Sequence, residues 1–149
     1  MALLFGELVS HIDILMKHEL SNALVSLNKQ INISPDTTIV GNLNSLVQVI
    51  NNIISNSIQA YTGRKNESIL FSLYEEKNQL VIKIEDRAGG LPEKVKERLF
   101  KEMITTKGKN GTGLGLFMSY SNIKAHFSGN MKYETEDGVG TAFYIEIPL

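Results

Sequence analysis

The chain has 149 residues, about one domain's worth. Apolar residues make up 42% and charged residues 21%, a globular balance that argues against a disordered or fibrous chain. Fifteen basic residues against sixteen acidic leave no basic excess to coat a nucleic-acid backbone, and the absence of cysteine excludes disulfides, thiolate catalysis and cysteine-held metals.

The N-terminus, MALLFGELVSHI, has no basic region before its short apolar stretch and meets Glu7 at once, so it does not read as a secretory signal. No apolar run reaches the roughly 18 residues of a membrane span. A cytoplasmic setting without membrane contact is the expectation. His11, His18 and His126 form no H-x-x-x-H pair, which argues against a histidine metal site. From Gly6 to Leu20, the spacing of Leu8, Ile12, Leu15 and Met16 predicts a helix. From Ala23 to Ile33, the apolar residues Val25, Leu27, Ile31 and Ile33 alternate with polar ones and predict a strand, closed by the turn Ser34-Pro35-Asp36.

The clearest helix runs from Leu43 to Ala60. Leu43, Leu46, Val47, Ile50, Ile53, Ile54 and Ile58 form one apolar stripe, with Gln48, Asn52, Asn56 and Gln59 away from it. Strands at Ile69–Tyr74 and Leu80–Glu85 are joined by Glu75-Glu76-Lys77-Asn78, a hairpin signal. Pro92 opens a short helix to Phe100, where its missing N–H costs nothing. Residues 101 to 113 are polar and aperiodic and read as a loop. A helix from Leu114 to Phe127 and a hairpin of Met131–Thr135 with Thr141–Ile147 close the chain. Helices interleave with strands, yet the strand pairs are hairpins. The fold expected is α+β, a two-layer sandwich with one mostly antiparallel mixed sheet under about three helices.

Four features carry chemistry. Asn52 and Asn56 lie four apart, so their amides leave one helix face. Amide oxygens are hard neutral ligands that can hold Mg²⁺ while phosphates complete its shell. Glu85-Asp86-Arg87-Ala88-Gly89-Gly90-Leu91-Pro92 follows a strand. A carboxylate there can accept from an exocyclic amine, and the glycines let backbone approach a flat ring. Thr105-Thr106-Lys107-Gly108 could close over phosphate. Gly111-Thr112-Gly113-Leu114-Gly115-Leu116 opens a helix, where backbone N–H groups and the helix dipole favour phosphate. Taken singly, each is ordinary: capping asparagines, a polar turn, a solvated lysine, a bare G-x-G-x-G.

Their order is specific. QVINNIISNSIQA, EDRAGGLP, RLFKEMITTKG, GTGLGLFMSYSNIKAHFSG and GVGTAFYIEIPL together resemble the nucleotide-binding domain of sensor histidine kinases. That domain belongs to the GHKL superfamily, with gyrase, heat-shock chaperones and mismatch-repair ATPases. The resemblance covers Leu43 to Leu149. It implies a single ATP-binding catalytic domain over residues 1–149. Residues 1–41 would be its leading helix and strand, 42–149 the motif-bearing core and 101–113 a lid over ATP.

It also implies roles. Asn56 would ligate Mg²⁺ with Asn52 in support. Asp86 would receive the adenine amine and Gly90 would pack close to the purine. Gly111, Gly113 and Gly115 would line the phosphates with Thr112 and Lys107, and Thr141 would sit near the base. The implied partners are the dimerisation domain with its phosphoacceptor histidine and, indirectly, a response regulator. The segment itself is expected to be a monomer.

Three positions depart from the family pattern. Ala88 replaces the first glycine of its box. Ala60 stands where a longer aromatic is common, and Tyr61 beside it points about 100° away on a helix. Gln59 replaces a basic residue. The superfamily's hydrolases resemble one another in carrying a glutamate where this chain has Asn52. An amide cannot act as general base, so the resemblance favours transfer to a histidine over hydrolysis and over the anti-sigma-factor serine kinases. A degenerate docking module remains an alternative. His18-Glu19 looks like an acceptor motif, but only 34 residues separate His18 from Asn52, too few for a dimerisation hairpin as well, so His18 reads as a residue of the leading helix.

Overall fold

The computed structural model describes the backbone of residues 2–91 and 113–149, and within it the side chains of residues 5–91 and 118–149. The elements in chain order are β1 (Ala2–Leu4), α1 (Phe5–Ala23), β2 (Val25–Asn32), β3 (Thr38–Val40), α2 (Leu43–Ala60), β4 (Glu67–Glu76), β5 (Gln79–Asp86), α3 (Gly113–Phe127), β6 (Asn130–Glu136) and β7 (Gly140–Pro148). The helix expected from Pro92 to Phe100 and the lid up to residue 112 lie outside the described residues.

The main sheet has the order β2-β4-β5-β7-β6. β4, β5, β7 and β6 pair antiparallel, and β2 pairs with β4 in parallel, Val25 opposite Glu67. A parallel pair needs a long crossover, and α2 supplies it. Period-2 alternation decides which side chains meet the helices. Ile69, Phe71 and Leu73 on β4, Leu80, Ile82 and Ile84 on β5, and Phe143, Ile145 and Ile147 on β7 are all at most 3% exposed. They join Leu46, Ile50, Ile53 and Ile54 of α2, Leu8 and Ile12 of α1, and Ile123 and Phe127 of α3 in one core. At about 1.5–3 kcal/mol per buried large aliphatic side chain, this face dominates the stability. The other sheet face carries Lys83, Glu85, Lys132, Tyr144 and Glu146, with ion pairs Lys83–Glu85 at 3.5 Å and Lys132–Glu146 at 3.2 Å.

The expected α+β sandwich is therefore present, with the helices of the described residues on one face. The differences lie at ends and edges. α1 continues past Leu20 to Ala23 and stops at Leu24, whose φ of 54° ends a helix. β1 and β3 form a small antiparallel pair, Ala2 opposite Val40 and Leu4 opposite Thr38, that no periodicity announced. Three residues are too few to display alternation, and the partners are far apart in sequence. The β4–β5 turn narrows to Lys77 and Asn78, both at positive φ (53° and 61°), as a two-residue hairpin with the right-handed strand twist prefers.

Candidate functional site

The site is built where α2, the end of β5 and the β6–β7 hairpin converge. Asn42 caps α2, its side chain accepting from the Ser45 N–H at 3.1 Å, which fixes the helix start and the phase of everything it carries. α2 touches α1 on one side and α3 on the other. Its amide face is therefore only half solvated. Asn52 Nδ2 donates to Ser119 Oγ of α3 at 3.3 Å, and Ser119 is 2% exposed. Asn56 is half-buried, and its Nδ2 has no partner among the described residues. Beside Asn52, a groove of about 320 Å³ runs between α2 and α3, lined by Gln48, Val49, Met118, Ser119 and Asn122 among others.

Asp86 closes β5 and is 5% exposed. Its Oδ1 accepts from the Ala88 N–H at 3.0 Å and from the Thr141 N–H at 3.3 Å. Both backbone donors go to one oxygen, which leaves Oδ2 for another donor. Burial pushes the Asp86 carboxyl above the ordinary aspartate range, while the N–H groups of Ala88 and Thr141 and the Ser57 hydroxyl pull it back. The Ala88 contact comes from the backbone, so the alanine that replaces a family glycine keeps the donor that matters here.

The turn after Asp86 is stitched to the β6–β7 hairpin. The Gly89 N–H donates to Val139 O at 3.2 Å, the Gly138 N–H returns to Gly89 O at 3.0 Å, and the Leu91 N–H donates to Thr135 Oγ1 at 2.8 Å. Thr135 Oγ1 lies 3.0 Å from Thr141 Oγ1. Gly90 has φ +91°, and a Cβ on it would lie 2.8 Å from the Glu136 carbonyl oxygen. The expectation for Gly90 was close approach to a purine; among the described residues its close neighbour is this hairpin. A Cβ on Gly140 would run into the Asp86 carbonyl oxygen.

Tyr61, at the C-cap of α2, is 1% exposed. Its hydroxyl donates to Ser68 O at 2.6 Å and accepts from the Arg87 N–H at 2.9 Å. Burial raises its pKa, partly offset by the Arg87 N–H. The structure thus brings together Asp86, Gly90 and Thr141 around one turn, and places Asn52 and Asn56 on α2, with Asn52 at the groove beside α3. Gly113 and Gly115 fall in the first turn of α3, and Gly111, Thr112 and Lys107 lie outside the described residues. Ser57, Tyr61, Ser119, Thr135 and Gly140 were not anticipated as parts of the site. Ser57 left a signal, a polar residue on the apolar stripe of α2, and Tyr61 another, an aromatic beside Ala60.

The donor set fits a divalent cation only in company. Among the described residues no group of three His, Asp or Glu side chains could hold one. Neutral amides at positions 52 and 56 suit Mg²⁺ whose remaining ligands arrive with phosphates. A second concavity, about 550 Å³, is lined by Asp86, Thr135, Gly140 and Thr141 and extends over Lys83, Glu85, Glu134 and Tyr144 of the open sheet face. Lys83 there pairs with Glu85 and stacks 5.4 Å from the Tyr144 ring, so that cation is already engaged.

Residues 41–149 match the family described as histidine kinase-, DNA gyrase B- and HSP90-like ATPase. The chain belongs to this family. A similar protein is sporulation kinase C of Bacillus subtilis, 33% identical over 132 residues, which are 87% of this chain and 30% of that protein. The histidine-protein kinase AtoS of Escherichia coli is 35% identical over 104 residues, 70% of this chain and 17% of that one. The chain thus spans less than a third of these relatives. The catalytic domain of histidine kinase ThkA superposes with a TM-score of 0.84 at 22% identity, covering 99% of this chain and 94% of that domain. The α+β sandwich of that domain is therefore the fold of this chain. No helix among the described residues is long and apolar enough to cross a membrane.

Proposed function

We propose that this chain is the catalytic, ATP-binding domain of a sensor histidine kinase, which binds Mg²⁺-ATP and presents the γ-phosphate to a histidine on a separate dimerisation domain. The observation that carries the reading is the Asp86 carboxylate, buried at the strand end with Oδ1 saturated by two N–H groups and Oδ2 left to receive an exocyclic amine. Asn56, and Asn52 beside it, would hold the metal, which would neutralise phosphate charge and orient the γ-phosphate when bound. Asn52 Nδ2 donates to Ser119 Oγ, so its oxygen is the atom it would offer a metal. The first turn of α3, with Gly113 and Gly115, offers backbone N–H groups to phosphate, and Gly111, Thr112 and Lys107 extend that cradle in sequence.

The chain's own residues position and stabilise; no side chain has to form a covalent bond. Position 52 holds an amide, so no carboxylate there can take a proton from water, and hydrolysis has no base on α2. A neutral imidazole brings its own lone pair and needs none. The acceptor domain, the response regulator beyond it and a cytoplasmic setting belong to the same proposal. ThkA has been solved in complex with the response regulator TrrA, which supports that pairing by similarity of fold. Calorimetric titration with ATP and Mg²⁺, beside Asp86→Ala, tests the reading. Binding by the wild type and its loss in the variant are expected. A folded wild type that binds no ATP would overturn it. With an acceptor domain added, Asn56→Ala should abolish transfer; surviving transfer would remove Asn56 as metal ligand.

A further inference from the structure

We infer that Ser57 and Tyr61 are positioning residues for Asp86: they fix where the carboxylate presents its open oxygen, and so set how strongly the site reads an amino group on a purine. The inference rests on the nucleotide-site reading above and goes beyond it to the residues that tune base recognition.

The two residues lie four apart in the last turn of α2 and share one face. Ser57 is 2% exposed. Its hydroxyl makes no hydrogen bond of good geometry among the described residues, yet it is close enough to Asp86 to favour the charged carboxylate. Tyr61 grips the next peptide instead. Its hydroxyl accepts from the Arg87 N–H at 2.9 Å and donates to Ser68 O at 2.6 Å, which ties the exit of β5 to the second residue of β4. Asp86 is thus held from α2 through the backbone that follows it, with the Ser57 hydroxyl beside its carboxylate, while Ala88 and Thr141 hold it from the turn and from β7.

Packing alone does not account for these groups. Ser57 sits on the apolar stripe between Ile54 and Ile58, where alanine would fill the same space. A buried hydroxyl without a partner bears an uncompensated desolvation cost. That cost is recovered when the hydroxyl donates to Asp86 and accepts, directly or through one water, from the ligand side. The Tyr61 ring could likewise be phenylalanine as far as the core is concerned. Only its hydroxyl reaches the Arg87 N–H. Because Asn52 and Asn56 stand on the same helix, the elements that would grip the base and the phosphates are rigidly linked.

The test is a ligand–mutant cycle. Affinities of the wild type, Ser57→Ala, Tyr61→Phe and Ser57→Thr are measured by calorimetry with Mg²⁺ and either ATP or purine riboside triphosphate, which lacks the 6-amino group. Ser57→Ala and Tyr61→Phe are expected to lose about tenfold for ATP and much less for the deaminated analogue, so that discrimination between the two collapses. Ser57→Thr, which restores a hydroxyl, is expected to recover it. Equal losses for both ligands would mean that the residues serve only the fold, and so would unchanged affinities; either overturns this inference while the nucleotide reading stands. A wild type that binds neither ligand overturns the nucleotide reading itself. Thermal melts of the ligand-free variants identify any that fail to fold, and the two substitutions test the same claim independently.

Discussion

Asp86 illustrates at the scale of one residue how a binding group is kept at some cost to stability. Burial raises its folded-state pKa above the value of an unfolded aspartate. The sign follows directly. A carboxyl whose folded pKa is raised adds stability below its unfolded pKa and loses it as pH rises through the folded pKa. At neutral pH the ionised group is therefore a burden on the empty fold. Asp86→Asn keeps an oxygen for the Ala88 and Thr141 N–H groups and removes the buried charge. We expect its melting temperature at pH 7 to equal or exceed that of the wild type, with the gap closing as pH falls into the acid range. ATP affinity should fall by about 10–100-fold, the loss of a charge-assisted hydrogen bond. Parallel melts across pH and calorimetry check both halves. Gly90 and Gly140 show the other residue-scale demand, since a Cβ on either would strike the backbone facing it and part the Asp86 turn from its hairpin.

Between elements, the contact that matters most to the site is the one between α2 and α3. Asn52 Nδ2 to Ser119 Oγ is a half-buried hydrogen bond that sets one helix against the other. Since α3 opens with the glycines expected at phosphate, this bond places the anion cradle relative to the amides. Asn52→Ala and Ser119→Ala should each lower stability by about 0.5–1.5 kcal/mol. The double variant should lose less than the sum, with a coupling of about 0.5 kcal/mol or more, read from urea denaturation. Elsewhere the elements are joined by weaker means. Lys29 on β2 pairs with Asp13 on α1, but both side chains are over a third exposed, and such pairs contribute little.

For the molecule as a whole, stability comes from one face of the sheet. α2 is the central rod of the helical layer, and Ile53, fully buried, stands at its midpoint. Ile53→Ala should cost about 2–5 kcal/mol and unfold the chain in one transition at lower denaturant, because helices and sheet share a single core. A two-step transition with α1 melting first would show that the leading segment is a separate unit. The layout also explains where the site can be. The helices of the described residues cover one face, and Asp86 and Thr141 meet at the ends of β5 and β7. The open face carries charges already paired with one another.

Much of this protein is legible from the sequence alone. The stripe from Leu43 to Ile58, the alternation in β4, β5 and β7, and the order of four motifs follow from local periodicity and local chemistry, which single segments encode. They specify the sandwich and the family. The tertiary structure decided the rest, because those facts are contacts between segments far apart in the chain. β2 joins β4 in parallel only because α2 crosses over between them. Asn52 looks solvated on a helical wheel, but α3 packs beside it and takes its N–H₂. Tyr61 looks like a misplaced stacking aromatic, yet its hydroxyl finds the peptide after Asp86. Ser57 looks like a flaw in an apolar stripe until the fold sets it beside a buried carboxylate. Periodicity tells which face of an element is buried; only the assembled layers tell what that face meets.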